Sequence, residues 1–322
     1  MGKPLLEVRH LKKFFNVAAG SLHAVDDVTF SIEAGKTLGV VGESGCGKST
    51  TGRAILRLLE PTSGEVIFDG VDVLKLNKKE MRQKRQEMQQ NYQDPFSSLN
   101  PRMTVSETIE EPLKLSGMIP NKDERFTRVL ELMDRVGLAQ RLVNTYPHEL
   151  DGGRRQRIGI ARALATRPKF IVCDEPVSAL DVSIQAQILN LMKKIQKDMG
   201  VTYMFITHDL SVVNHFSDDI AVMYLGRLVE KAPSEELFRA PLHPYTEALL
   251  SAIPVPRIHN RPERIILKGE LSSPINPKPI CRFANRCPYA TDICRREEPQ
   301  LREIAPNHFV ACHRVEELKG KR

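Results

Sequence analysis

Apolar positions along this chain follow two rhythms. From Leu5 to Ile32 they come in short alternating runs, LLEVRHL and LHAVDDVTFSI, and Gly64–Phe68 resumes the pattern. These runs read as an antiparallel β-layer, with Phe14 and Phe15 in its first loop. Leu38–Val41, Phe170–Cys173 and Val201–Ile206 are instead unbroken apolar runs of strand length, with amphipathic stretches of helical period between them. Buried strands alternating with helices predict an α/β fold.

Punctuating residues bound the elements. The helix after Leu38–Val41 stops at Glu60-Pro61-Thr62-Ser63-Gly64. Lys75–Gln90 is charged and reads as a solvated helix, after which Gln93 enters a loop rich in Pro, Ser and Asn. Thr104 to Tyr146 is helical in pattern, opened by Thr104-Val105-Ser106-Glu107 and clearly periodic over Arg125–Val136, which predicts a helical insertion at about 100–165. A helix follows the pair Gly152-Gly153, another runs from about Ser183 to Met199, and strands return at Asp219–Tyr224 and Arg227–Lys231. Beyond Ala232-Pro233 the composition turns rich in Pro, Arg and Cys, so a boundary near residue 233 divides a domain of 1–232 from an extension of 233–322.

Between the first buried strand and its helix stands Gly42-Glu43-Ser44-Gly45-Cys46-Gly47-Lys48-Ser49, followed by Thr50. G-x4-G-K-[ST] in this setting is a phosphate-binding loop: its glycines let successive N–H groups turn toward phosphate oxygens, and the helix end adds positive potential. Lys48 is expected to reach the β- and γ-phosphates, and the Ser49 hydroxyl to ligate Mg²⁺. Asp174 and Glu175 close the strand that begins at Phe170. Asp174 suits a metal's water shell, while Glu175 can orient the water that attacks a γ-phosphate. His208 follows another buried strand, at the end where α/β sheets bind ligands. The glycine pair at 152–153 is a second possible anion site. An aromatic such as Phe14 or Phe15 could stack on an adenine.

The chain has 322 residues, 41% hydrophobic and 27% charged, which is ordinary for a globular protein and enough for two domains. No apolar run approaches a membrane span and no signal-peptide core follows Met1, so a cytosolic chain is expected. A net charge of +7 suits an anionic partner, either the inner membrane leaflet or nucleic acid. Four of the six cysteines, Cys281, Cys287, Cys294 and Cys312, fall late in the chain with the spacing C-x5-C-x6-C-x17-C. That spacing alone leaves metal ligation and unrelated reduced thiols both open. Arg282, Arg286, Arg295, Arg296 and His313, close in sequence, would offset four thiolates around Zn²⁺ or a [4Fe–4S] cluster. Cys46 and Cys173 are excluded, one lying in the phosphate loop and the other in a buried strand.

Taken in order, these motifs resemble the ATP-binding subunit of ABC transporters: Gly42–Ser49 as Walker A, Gln93 as the Q-loop, Leu150–Arg154 as the signature, Phe170–Glu175 as Walker B, Ser178–Asp181 as the D-loop and His208 as the switch histidine. HPYTEALLSAIP and the late cysteines resemble the C-terminal extension of dipeptide/oligopeptide importer ATPases. The resemblance implies a P-loop ABC ATPase fold with a RecA-like core, an antiparallel β-subdomain, a helical signature subdomain and a small cysteine-bearing extension. It implies ATP and Mg²⁺ as cofactors, with Phe15 against the adenine, Ser44, Gly45, Cys46, Gly47 and Thr50 around the phosphates, and Ser49, Gln93 and Asp174 at the metal. Glu175, His208 and Gln93 would serve hydrolysis, Asp181 the D-loop contact, and Asp151, Gly152 and Gly153 the nucleotide of an opposite subunit.

The same resemblance favours a [4Fe–4S] cluster over zinc at the four cysteines. It makes the chain a peripheral protein at the cytoplasmic face of the cell membrane. Its expected partners are a second related ATPase and two permease subunits, with an extracytoplasmic peptide-binding protein engaged indirectly and no nucleic acid. Nickel or metal-chelate import and a non-transport ABC ATPase acting on nucleic acid are the alternatives. Two positions depart from the family's L-S-G-G-Q signature in charge: Arg154 stands where a glutamine is usual and Asp151 where a serine is usual, and an ionised carboxylate can only accept hydrogen bonds.

Overall fold

The computed structural model describes residues 4–93, 98–253, 264–267, 269 and 272–319. Two long strands, β1 (Pro4–Val17) and β2 (Gly20–Glu33), lead into β3 (Thr37–Val41), α1 (Lys48–Ile55), β4 (Ser63–Phe68) and β5 (Val71–Asp72). Next come α2 (Lys78–Lys84), β6 (Met88–Asn91), α3 (Val105–Ser116), α4 (Lys122–Arg135), α5 (Gly152–Leu164), β7 (Phe170–Asp174), α6 (Val182–Met199) and β8 (Thr202–Ile206). The chain closes with α7 (Leu210–Phe216), β9 (Asp219–Tyr224), β10 (Arg227–Pro233), α8 (Ser234–Arg239), α9 (Pro244–Ser251), β11 (Arg302–Ala305), β12 (His308–Val310) and α10 (Val315–Lys319).

One unit comprises Met1–Leu6, Ile32–Lys36 and Phe68–Ile206. Its strands β8, β7 and β6 pair in parallel, with Phe170 facing Thr202 on one side and Met88 on the other. β7 and β8 are buried at every position, and parallel strands covered on both faces are unbroken apolar runs in sequence. β6 corrects the expectation of a helix over Lys75–Gln90. The helix α2 ends at Lys84, and the strand, Met88-Gln89-Gln90-Asn91, shows no apolar alternation to betray it. Its register against β7 fixes it instead. The helical stretch is as the pattern suggests. Thr104 and Glu107 form a reciprocal capping box at α3, and Arg125 on α4 holds Glu110 on α3 at 2.9 Å. Ile109 and Leu113 of α3 are buried, as are Val129, Leu132 and Met133 of α4.

The other unit comprises Glu7–Ser31, Thr37–Ile67 and Thr207–Arg322. β3 pairs in parallel with β9, and β10, β12 and β11 follow in antiparallel order. A second sheet holds β2, β1 and β4; the two-residue turn Ala18-Ala19 between β1 and β2 makes that pair antiparallel. Phe14 and Phe15, expected in a loop, lie inside β1, which runs 14 residues because its pairing outlasts the apolar alternation. α1 ends at Ile55, ahead of the expected stop at Pro61, and Arg57 in the left-handed region (φ 51°) turns the chain.

Glu230 on β10 ties the tail down. Its side chain is 0% exposed, and its carboxylate accepts the N–H groups of Leu242 (2.7 Å) and His243 (3.0 Å) and faces His308 Nε2 at 2.7 Å. A buried carboxylate is tolerable when partnered this fully. His243 then caps α9, its Nδ1 accepting the Tyr245 N–H at 3.1 Å, while Pro244 takes the first helical position that proline favours. Among the described residues no helix is long and apolar enough to cross a membrane.

Candidate functional site

The phosphate loop links β3 to α1. A Cβ at Gly42 (φ 152°) would stand 2.2 Å from the carbonyl oxygen of Met223, and one at Gly47 (φ 104°) 2.1 Å from that of Ala24. Only glycine fits there. α1 opens at Gly47 without a side-chain cap, which leaves its first amides for an anion. Lys48 is 5% exposed, and its ammonium donates to the carbonyls of Gly42 (2.8 Å) and Glu43 (3.0 Å). Ser44 and Gly45 are exposed, and Ser49 and Thr50 half-buried. Cys46 is buried, which raises its thiol pKa and leaves it inert.

Two further expected residues belong to the same unit. Phe15 is half-buried, with Lys13 Nζ 4.8 Å above its ring, while neighbouring Phe14 is already stacked on His23 at 3.8 Å. His208 is exposed directly after Thr207, whose N–H donates to the Val40 carbonyl on β3. Asp209 caps α7 behind it, accepting from Ser211 N–H at 2.8 Å.

The other unit gathers Gln93, Asp174 and Glu175. Asp174 ends β7 at 1% exposure. Glu175 adopts the left-handed region (φ 46°), at a cost of about 1 kcal/mol for a residue with a Cβ. Three bonds keep it there: its N–H donates to Ile206 O at 2.9 Å, its carbonyl accepts from Ser178 Oγ at 3.1 Å, and Gln93 Nε2 donates to its carboxylate at 2.9 Å. Gln93 and Glu175 are 82 residues apart in sequence. Residues 94–97, the start of the loop after Gln93, lie outside the described residues.

Asp151 is the N-cap of α5. Its Oδ1 accepts the Arg154 N–H at 2.8 Å, and Arg154 Nε lies 3.4 Å from Oδ2. Gly152 and Gly153 form the first turn, and a Cβ at Gly153 would stand 2.8 Å from Ile184 on α6. Asp181 is the exposed N-cap of α6. The turn before it is held by Gln185 Nε2, which donates to the carbonyls of Val177 (2.9 Å) and Leu180 (3.0 Å), and Val182 beside it is 81% exposed.

The four late cysteines line one cavity of about 10 Å³, together with Phe283, Tyr289, His313 and Arg314. That is room for about one water molecule. Burial pushes the Cys281 thiol up to about 12 and the Cys287 thiol up to about 11, and the neighbouring thiols add to both shifts. Among the described residues no three His, Cys, Asp or Glu side chains stand in a geometry that holds a metal ion. The four expected ligands thus line one cavity, while no metal-holding geometry is formed among the described residues. Cys173 is buried in β7.

Sequence reasoning overlooked two residues of the tail. Tyr245 Oη accepts the N–H of Glu43, and Arg286 pairs with the Glu43 carboxylate. The only signal for Tyr245 was its place in His-Pro-Tyr, and none existed for Arg286 beyond proximity to the cysteines.

Residues 25–178 match the family described as ABC transporter, and residues 229–294 the one described as oligopeptide/dipeptide transporter, C-terminal region. The chain is 51% identical over 319 residues to the oligopeptide transport ATP-binding protein AppF of Bacillus subtilis, covering 96% of this chain and 97% of that one. It is 53% identical over 313 residues to the putative oligopeptide transport ATP-binding protein YkfD of the same organism, covering 96% and 95%. It is 52% identical over 311 residues to a putative peptide import ATP-binding protein of Brucella ovis, covering 97% and 98%. Among solved structures, the dimeric post-hydrolysis state of the ATP-binding cassette MJ0796 bound to ADP and Pi is similar at a TM-score of 0.65 and 31% identity, over 71% of this chain and 98% of that one.

Proposed function

The chain belongs to the ATP-binding subunits of ABC transporters, in their oligopeptide/dipeptide branch, and from that premise we propose that it hydrolyses ATP to drive peptide import across the cytoplasmic membrane. The observation that carries the enzymatic half is the carboxylate of Glu175, held in a left-handed backbone position with Gln93 bonded to it at 2.9 Å. A group that must orient one water toward a phosphoryl centre needs such fixing. Lys48 and the loop amides of residues 42–50 bind the triphosphate, with Phe15 against the adenine. Ser49, Asp174 and Gln93 serve Mg²⁺, and His208 assists the attack. Functionally, residues 1–232 are the nucleotide-binding part and 233–322 the importer extension.

The working form is a heterodimer with a second, related ATPase, docked on two permease subunits at the cytoplasmic face and served by an extracytoplasmic peptide-binding protein. The test is purification from detergent-solubilised membranes. Two integral membrane proteins and a second ATPase should accompany the chain, and in proteoliposomes peptide-loaded binding protein should raise its ATPase rate at least severalfold. Retention of nucleic acid in place of membrane proteins would overturn the transport reading, and a rate raised by nickel chelates rather than peptides would move the substrate.

Cys281, Cys287, Cys294 and Cys312 are proposed as the ligands of a [4Fe–4S] cluster, with zinc as the alternative. Their shared cavity supports this, as do His313 and Arg314 in its lining, which suit the negative charge of a thiolate site. No step of ATP hydrolysis runs through the group. Protein prepared without oxygen is expected to be brown and to carry about four irons per chain; colourless protein with one zinc keeps the site and removes the cluster, and metal-free protein removes both.

A further inference from the structure

The phosphate loop is fastened by the tail of its own chain. Glu43, the second residue of the loop, is held at three points. Its N–H donates to Tyr245 Oη at 2.9 Å, its carbonyl accepts from Lys48 Nζ at 3.0 Å, and its carboxylate takes both ends of the Arg286 guanidinium, Nη1 to Oε2 at 2.8 Å and Nη2 to Oε1 at 3.0 Å. Two-pronged pairs of this kind are among the stronger and more directional polar contacts. The Arg286 side chain is 10% exposed, and its pKa is raised first by the bond to Glu43. Tyr245 is wholly buried, so its hydroxyl needs a partner, and the loop supplies one.

These two residues approach from separate parts of the tail. Tyr245 sits on α9 and Arg286 beside Cys287, yet one aromatic cluster joins them. Tyr245 packs on Tyr224 (4.7 Å between ring centres) and Phe283 (5.5 Å), while Arg286 lies 5.9 Å over the Tyr224 ring. Phe283 also lines the cysteine cavity, and its carbonyl accepts the Cys287 N–H at 3.0 Å.

A carboxylate at the second position of a triphosphate-binding loop opposes its ligand unless it is neutralised. Lys48, for its part, must leave the carbonyls of Gly42 and Glu43 to reach phosphate, and the loop keeps its shape during that exchange only if something else holds it. We propose that Arg286 and Tyr245 are positioning residues for nucleotide binding, neutralising and fixing Glu43 so that the loop amides stay arranged for the triphosphate. The inference rests on the reading of this loop as the ATP site.

The test uses the full chain with Mg²⁺ and a fluorescent ATP analogue. Arg286→Ala, which leaves the Glu43 charge unpaired, is expected to raise Kd about tenfold, the order expected for losing one charge-assisted hydrogen bond. Adding Glu43→Gln to that variant removes the exposed charge and should bring Kd back to within about threefold of the parent, a rescue that a merely structural tie would not give. Tyr245→Phe, which deletes only the hydroxyl, should raise Kd about threefold. An unchanged Kd in folded Arg286→Ala, or no recovery in the double variant, overturns the proposal. If Arg286→Ala does not fold, Arg286→Lys, which keeps the charge and loses the fork, decides by the same measurement. A parent chain that binds no nucleotide would count against the ATP site itself rather than against this latch.

Discussion

Glu175→Gln is expected to lower kcat by about two to three orders of magnitude in the assembled transporter while leaving the Kd for ATP within about twofold of the parent. The substitution is nearly isosteric, and its amide oxygen can still accept from Gln93 Nε2, which donates to the carboxylate at 2.9 Å. The backbone constraints are untouched, since the N–H bond to Ile206 and the carbonyl bond from Ser178 do not involve the side chain. What is lost is the charge that accepts or orients a water proton, and that interaction matters in the transition state rather than in the bound ground state. ATP should then bind, bring two ATPase subunits together and persist. Size-exclusion chromatography with ATP should show a stable dimer for the variant and a transient one for the parent. Lys48→Ala should behave oppositely, with Kd rising steeply and no ATP-dependent dimer, because its ammonium is lost from binding itself. Parental turnover in Glu175→Gln would move the catalytic role to another group.

Much of this site was legible because it combines local sequence with buried strands. Gly42 and Gly47 are glycines since a Cβ at either meets a carbonyl oxygen at little more than 2 Å, so the loop motif states its own backbone geometry. β7 and β8 were readable for a related reason: full burial on both faces leaves an apolar run that ends at Asp174 or just before His208. Polar β6 carried no such trace, because its strand character comes from pairing with β7. The bond from Gln93 to Glu175 and the fork from Arg286 to Glu43 were equally hidden. Each joins residues 82 or 243 positions apart, and nothing in local composition encodes that separation. The cysteines fall between these cases: their clustering in sequence marked them as candidate ligands of one group, and they line one cavity, yet no metal-holding geometry is formed among the described residues.

Asp151→Ser is expected to raise the ATPase rate of the isolated subunit about tenfold. In the signature of this family a serine hydroxyl donates to the γ-phosphate of the nucleotide held opposite, whereas the Asp151 carboxylate only accepts. At α5 that carboxylate already occupies the helix end, with Oδ1 on the Arg154 N–H at 2.8 Å, so it competes with any second anion for the positive N-terminus. Two unit charges about 4 Å apart at an effective dielectric near 20 repel by about 4 kcal/mol. Arg154 Nε, 3.4 Å from Oδ2, cancels part of this, and with 60% of the side chain exposed, solvent screens more before closure. A residual near 1.4 kcal/mol is tenfold in rate. Serine is as good an N-cap as aspartate, so α5 should keep its stability and a thermal melt should not move by more than about 2 °C. The asymmetry follows from the same charge. In the proposed heterodimer a partner subunit with a serine signature would complete the strong site on this chain's own loop and Glu175, while Asp151 would complete a weaker one on the partner. In the heterodimer Asp151→Ser should therefore change the rate less than about threefold, because the strong site already dominates turnover. An unchanged rate in an isolated sample that demonstrably dimerises with ATP would mean that the glycine amides of residues 152 and 153 suffice for the anion, and the electrostatic basis for an obligate heterodimer would fall.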